Sequence, residues 1–393
     1  MQKTTALSLL IFACVFVEGC NSQVSDLNVE PVSFSHEDEL IGNDDFIILA
    51  DRRVFTVMAF MNACGYDTEF EGKEMHPVRI RVREAIQAKA NQHPDLLERW
   101  KQYYKKKAMP NFGYLDFVFS LNDDYPFRRI RPNSELQYPN TAKTLADLPA
   151  ILNEFWETLE LEQIWGEVKP DYIAEINKYD FKRMSDKLAF IWEYLRLQRK
   201  DHFTFVSVPI LLDQHYVGIL AQYENYWYIE DSPGAGDRSL NNHEYLHSII
   251  NSLVENNYKS YKKKLDKYFE AGKDLPWAKF YQHPVGYASE CLVRALDKRI
   301  HVVFEDNPES TTRNENRVAE LTEKGFILVQ PFYQLLVEYE DSEINFEVFL
   351  PKLLERLHEY SKLKISNNPF RATPLLNIEE FLTSSVNIPN SLY

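Results

Sequence analysis

The pentapeptide HEYLH, from His243 to His247, has the residue types and spacing of a zinc-binding catalytic motif. On a helix, two histidines four residues apart project from one face, about one turn apart, and can bind one Zn²⁺ together. Glu244, beside the first histidine, can take a proton from a zinc-bound water and pass it to a leaving amine. The metal makes this possible at neutral pH because it lowers the pKa of its water to roughly 7. The motif therefore predicts hydrolysis with Zn²⁺ as cofactor and Glu244 as general base.

A catalytic zinc ion normally has three protein ligands and one open position. No third histidine follows at the short spacing of the metzincins, so we look for a carboxylate on a later helix. The best candidate is Glu290, within YASECLVRALDKRI, where Leu292, Val293 and Leu296 would anchor a helix with Glu290 pointing inward. The alternative is that Glu290 simply pairs with Arg294 at i, i+4 on a helix surface. Weaker ligand candidates are Glu255, Glu270 and Glu305.

The elements around the motif have a clear order in the sequence. Aromatic and β-branched runs at 202–212 and 216–231 predict two or three antiparallel strands. A helix capped by Asn241 or Asn242 follows, and its apolar residues recur at helical spacing. The buried stripe predicted for this helix is Leu246, Ile249, Ile250 and Leu253. Helical patterns also occupy 51–63, 78–89, 94–107, 145–162, 171–198, 256–271, 288–298, 317–324 and 346–363.

The N-terminus has the features of an export signal. Lys3 precedes an apolar run from Ala6 to Val17, which is too short to span a bilayer comfortably. The next residues, VEGC, resemble the lipobox of bacterial lipoproteins, which implies lipidation at Cys20 and a location in the bacterial cell envelope, outside the cytoplasm. A plain secretory peptide or an uncut signal anchor is the alternative. We expect a signal peptide at 1–19, a flexible tether at 20–45, a helical N-terminal part at 46–200, a catalytic part at 201–366 and a C-terminal tail at 367–393.

The composition of the chain indicates a globular protein and argues against nucleic acid as a partner. The chain has 393 residues, 45% of them hydrophobic, with 23 Tyr and 25 Phe, so it can fill a substantial core. A formal charge of −15 is spread along the chain and disfavours binding to nucleic acid. Cys64 and Cys291 each lie in an apolar helical pattern, and we do not predict a disulfide between them. The oligomeric state is not predicted.

The order of elements resembles that of the gluzincin branch of zinc metallopeptidases: a strand pair, an H-E-x-x-H helix, and a later helix with Glu. The stretches HEYLHSIINSLVENN, SECLVRAL and GFILVQPFYQLL are also similar to an uncharacterised family of bacterial metallopeptidases, described as a domain of unknown function. The resemblance implies an α+β, zincin-like fold that is mainly helical, with a small mixed or antiparallel sheet before the motif. It implies His243, His247 and Glu290 as zinc ligands, Glu244 as base, and a peptide or protein substrate.

The sequence leaves open which residues bind the substrate and stabilise an oxyanion, and it allows two alternative functions. In gluzincins an edge strand binds the extended substrate, and Val217 to Tyr223 is the candidate here. His283, Tyr287 and Tyr333 are candidates for stabilising an oxyanion by placement alone. A non-catalytic surface lipoprotein that binds a protein or glycan on the same scaffold is the alternative function. A structural zinc site, with His283 as fourth ligand, is a weaker option.

Overall fold

A computed structural model describes residues 40–42, 47–66, 77–107, 109, 111–130, 139–199, 205–206, 220–223, 226–229 and 242–360. The predicted signal peptide at 1–19, the lipidation site Cys20, most of the predicted tether and the predicted tail at 367–393 lie outside these residues. The last part of the predicted tether is an exception. Leu40–Gly42 forms strand β1 and pairs antiparallel with Ile47–Leu49, strand β2.

The described chain is α-rich, as predicted. Helices of the first half are α1 (Arg52–Ala63), α2 (Pro77–Ala90), α3 (Pro94–Lys107), α4 (Asn111–Val118), α5 (Pro139–Thr144), α6 (Leu148–Thr158), α7 (Leu161–Ile176) and α8 (Phe181–Leu195). Those of the second half are α9 (Asn242–Gly272), α10 (Pro284–Glu305), α11 (Pro308–Glu323), α12 (Val329–Glu340) and α13 (Phe346–Tyr360). A short 3₁₀ helix, Ala278–Phe280, lies between α9 and α10.

Strands are few and short among the described residues. Phe205–Val206 (β3), Leu220–Tyr223 (β4) and Tyr226–Ile229 (β5) form a mixed sheet in the order β3-β5-β4. β5 runs antiparallel to β4, as expected for a hairpin, but parallel to β3. β4 is therefore one edge of this sheet, in the region predicted to bind substrate, while residues 217–219 lie outside the described chain. The α+β, zincin-like arrangement stays a prediction.

The described residues divide into two compact units. One contains 186–199 and 242–360, and the other contains the preceding helices together with strands β1 to β5. This division differs from the predicted boundary at residue 200. β3 contacts β2 and so groups with the N-terminal part of the chain rather than with the motif's helix.

The first unit is built around α9 and α10. α9 is one continuous helix of 31 residues, although the sequence patterns suggested two separate helices. Asn257 lies within it, and its side chain donates to the carbonyl of Leu253 (2.8 Å) on the preceding turn. α10 packs against α9, α11 and α12, and its residues from Gly286 to Leu296 are almost all buried. His243 and His247 on α9 and Glu290 on α10 lie next to one another at the interface of these two helices.

In the unit that contains α1 to α7, one helix has the ends that the sequence predicts and another predicted helix is divided in two. α1 begins after Asp51, whose carboxylate accepts from the backbone N–H groups of Arg53 (2.8 Å) and Val54 (3.3 Å). It ends before Gly65, which has φ +101°, as its predicted role as a C-terminal cap requires. The predicted helix at 145–162 is instead split between α6 and α7. The chain turns at Glu160, which adopts a left-handed φ of 49°.

The structure also shows whether the described helices could span a membrane and whether the two cysteines are paired. Within the described part of the chain, no helix combines the length and the apolar character needed to cross a membrane. Cys64 and Cys291 are both free cysteines in the structure. Cys291 lies in the buried core of α10.

Candidate metal centre

The two histidines of the motif and Glu290 meet at the interface of α9 and α10. Nε2 of His243 lies 3.3 Å from Nε2 of His247. The Glu290 carboxylate is near both, with Oε1 3.4 Å from Nε2 of His243 and Oε2 3.2 Å from Nε2 of His247. His247 and Glu290 are buried, while the His243 side chain is 18% exposed. His243 is thus the least buried of the three side chains.

The donor set and its spacing fit a zinc ion. Two imidazole nitrogens and one carboxylate are a common set of protein ligands for catalytic zinc. A tetrahedral site with bonds of about 2.0–2.1 Å places its ligand atoms about 3.3 Å apart. The two imidazole nitrogens, 3.3 Å apart, match this value, while Glu290 meets each imidazole with a different carboxylate oxygen, at 3.4 and 3.2 Å. One ligand atom from each of the three side chains lies within 4.8 Å of the others, so these side chains are close enough to bind one ion together.

Asn251 supports His247 from the other side of its ring. The amide oxygen Oδ1 lies 3.0 Å from Nδ1 of His247, one helical turn along α9. An amide oxygen can only accept, so a proton on Nδ1 can be donated to Asn251. In that tautomer Nε2 of His247 can bind a metal ion, and the ring is held in orientation.

Arg294 contacts Glu290 from one turn further along α10. Its Nη2 donates to Oε1 of Glu290 at 2.6 Å. The guanidinium carbon lies 4.5 Å from the ring centroid of Phe326, within the range of a cation–π contact. The i, i+4 pair that the sequence offered as an alternative to metal binding is therefore present. It coexists with the cluster because Oε2 of Glu290 is turned toward His247.

The surroundings set the charge of each candidate ligand. Burial acts to raise the pKa of the Glu290 carboxyl, but the charges of Arg294 and His243 hold that pKa well below its usual value. Burial acts to lower the pKa of both imidazoles. The pKa of His243 stays lowered, whereas the hydrogen bond and charge of Glu290 leave the pKa of His247 raised. Glu290 is therefore anionic and His243 neutral at neutral pH, which are their ligating forms.

Glu244 lies in the first turn of α9, between the two histidines in sequence and half-buried. It is not a member of the metal-binding group, and its charge raises the pKa of His247. The structure therefore brings together the three predicted ligands, with the predicted base on the adjacent face of the same helical turn. This is the division of roles that H-E-x-x-H implies.

The weaker ligand candidates lie elsewhere. Glu255 and Glu270 are exposed on α9, and Glu270 pairs with Lys273. Glu305 pairs with Arg313 at 2.7 Å. Among the described residues, three or more His, Cys, Asp or Glu side chains come close enough to hold one metal ion at a single place. This group consists of His243, His247 and Glu290, and His283 does not belong to it. This group supplies three protein ligands rather than the four of a structural zinc site.

The candidates for oxyanion stabilisation have other partners or positions. The Tyr287 hydroxyl is fully buried, donates to the carbonyl of Gly325 (2.6 Å) and accepts from the backbone N–H of Ile327 (2.9 Å). The Tyr333 hydroxyl accepts from Arg299 at 3.2 Å. His283 is the exposed residue immediately before α10. The contacts of Tyr287 are those of a core residue that fixes the loop before α12.

Sequence reasoning missed two residues that bear on the site. Asn251 lies four residues after His247 in the motif's helix, so the spacing alone could have identified it as a partner for the second histidine. Phe326 could not be found this way, because it approaches Arg294 from a loop 32 positions further along the chain.

Comparison of the chain with protein-family models, with curated proteins and with solved structures found no match. The resemblance to zinc metallopeptidases therefore stays a prediction.

Proposed function

We propose that this protein is a zinc-dependent metallopeptidase, with His243, His247 and Glu290 as zinc ligands and Glu244 as general base. One observation carries the proposal: three side chains of ligating type, two from α9 and one from α10, converge so that one ligand atom from each lies within 4.8 Å of the others. The retained Glu244 favours catalysis over a purely structural or binding role, since neither of those roles needs a base beside the first histidine.

The chain's own residues divide the work of peptide hydrolysis among them. Bound zinc would supply a Lewis acid that lowers the pKa of water to roughly 7. Asn251 holds His247 in the ligating tautomer, and Glu290 contributes negative charge from α10. Glu244 accepts a proton from the attacking water and delivers it to the amine that leaves when the peptide bond breaks.

The substrate and location are part of the same proposal. A peptide or protein substrate is supported by the H-E-x-x-H motif. A lipid anchor at Cys20, holding the protein to the bacterial cell envelope outside the cytoplasm, is supported by the apolar run and the VEGC sequence. Replacing Cys20 by Ser should release the protein from the membrane fraction. Retention of the Cys20→Ser variant in that fraction would contradict anchoring at this residue.

The catalytic claim is tested by replacing Glu244 with Gln in the full chain. Glu244→Gln should abolish hydrolysis of a peptide library while zinc content stays unchanged, because the proton acceptor is lost and the ligands remain. Glu255→Gln is a matched control, since Glu255 is exposed on the same helix. It should behave as wild type. Zinc binding without any peptide hydrolysis in the wild type, under the same assay, would favour the non-catalytic lipoprotein that binds a protein or glycan.

A further inference from the structure

Arg294 places a permanent positive charge on the same carboxylate that would bind the metal. Its Nη2 lies 2.6 Å from Oε1 of Glu290, and the two side chains are 16% and 4% exposed. An arginine stays protonated at any pH at which the protein is folded. The guanidinium carbon also lies 4.5 Å from the ring centroid of Phe326. The Glu290 anion therefore has a largely buried countercharge at hydrogen-bond distance in the metal-free protein.

A metal ion at the cluster would be a second cation on one carboxylate. Two like charges that share Glu290 repel each other, and the repulsion is stronger where water is excluded than in bulk water. We propose that Arg294 is a built-in counter-ion of Glu290, which holds the carboxylate in place without metal and which weakens the binding of the metal. This inference rests on the proposed function in requiring that His243, His247 and Glu290 bind the ion.

Loss of Arg294 should change the stability of the zinc-free protein and its affinity for zinc in opposite directions. Removing Arg294 would leave a buried carboxylate without its charged partner in the metal-free protein, and breaking a buried pair in this way is strongly destabilising. In the zinc-bound protein the ion itself balances Glu290, so the same substitution should be much less harmful. A ligand stabilises a protein by its affinity for the folded state. An Arg294 variant should therefore be less stable without zinc and bind zinc more tightly.

The same helix offers a matched control for the loss of a buried arginine. Arg299 pairs with the carboxylate of Glu340 and lies over the ring of Tyr333, 5.0 Å from its centroid. Its side chain is 10% exposed, close to that of Arg294. This pair has the same chemistry but does not involve a candidate ligand. Arg299→Met should lower the stability of the zinc-free and zinc-bound proteins alike and leave the zinc affinity unchanged.

The experiment compares wild type, Arg294→Met, Arg294→Lys and Arg299→Met as full chains. Zinc dissociation constants are measured by competition with a chelator, and thermal unfolding is followed in excess chelator and in excess zinc. We expect Arg294→Met to bind zinc about tenfold more tightly or better, and to show a larger rise of the unfolding midpoint on adding zinc. Arg294→Lys, which keeps the charge, should stay closer to wild type. Unfolding of Arg294→Met by chelator alone, while Arg299→Met stays folded, would support the same conclusion.

A second background shows whether Arg294 acts through Glu290. In Glu290→Gln, the further change Arg294→Met should no longer destabilise the zinc-free protein, because the charge it balances is gone. Equal or weaker zinc binding by Arg294→Met than by wild type would overturn the inference. So would an equal gain in zinc affinity for Arg299→Met. Absence of zinc from the wild type would instead overturn the proposed function, and the chelator arm of the double variant would still test the ion pair.

Discussion

Asn251 and His247 form a pair on α9, with the amide oxygen of Asn251 3.0 Å from Nδ1 of the imidazole. The other ring nitrogen, Nε2, lies 3.2 Å from Oε2 of Glu290. One side of the ring is therefore held by the helix that carries it, and the other side faces the partner helix. Hydrogen bonds of this kind fix the tautomer and the orientation of a metal-binding histidine.

We predict that Asn251→Leu weakens zinc binding by about tenfold, because the ring of His247 loses the acceptor that fixes its tautomer. Chelator competition measures the dissociation constant. Asn257→Leu is a suitable control, since Asn257 lies on the same helix and bonds to the carbonyl of Leu253 instead of to a candidate ligand. An unchanged dissociation constant in Asn251→Leu would show that Asn251 does not position His247.

The lowered pKa of Glu290 predicts how its contribution to stability depends on pH. A carboxyl whose pKa is lower in the folded state stabilises the protein above its unfolded value, here 4.5, and this contribution is lost as the pH falls through the folded-state pKa. In chelator, wild type should therefore exceed Glu290→Gln in stability above pH 4.5, and the difference should shrink as the pH is lowered further. Denaturant unfolding at a series of pH values measures it. A difference that stays constant on acidification would contradict the ion pair with Arg294.

Tyr287 is predicted to stabilise the fold without taking part in hydrolysis. Tyr287→Phe should lower the free energy of unfolding by about 2–3 kcal/mol, because the carbonyl of Gly325 and the N–H of Ile327 would lose their buried partner. Peptide hydrolysis by the folded variant should stay close to wild type. Loss of hydrolysis with unchanged stability would instead assign Tyr287 to the reaction.

The candidate site could be predicted largely because its signals are local. The spacing of His243 and His247 requires a helix, and α9 supplies it from Asn242. The apolar pattern around Glu290 predicted a helix with Glu290 pointing inward; α10 is that helix and Glu290 is buried in it, while its role as a ligand stays a prediction. The choice between metal ligand and partner of Arg294 could not be made from sequence, because it depends on where each carboxylate oxygen points. In the structure Oε1 faces Arg294 while Oε2 faces His247.

The fold was harder to predict wherever tertiary packing overrides a local signal. The patterns that suggested separate helices before and after Leu253 belong to one helix, which is buried at residues in both halves, including Leu246 and Leu265. Conversely, one continuous pattern is broken at Glu160, a residue type with no special preference for the left-handed φ it adopts. The parallel pairing of β3 with β5 joins segments that are separated by β4 in sequence, so the run of strands alone suggested a simple antiparallel order.

The most direct test of the central claim is the metal content of the purified protein. Wild type and Glu290→Ala are dialysed exhaustively and analysed by plasma mass spectrometry. The proposed site predicts one zinc ion per chain in the wild type, lost or strongly depleted in Glu290→Ala, because a third ligand is removed. Absence of zinc from the wild type even after reconstitution, or full retention of zinc by Glu290→Ala, would contradict a site built from His243, His247 and Glu290.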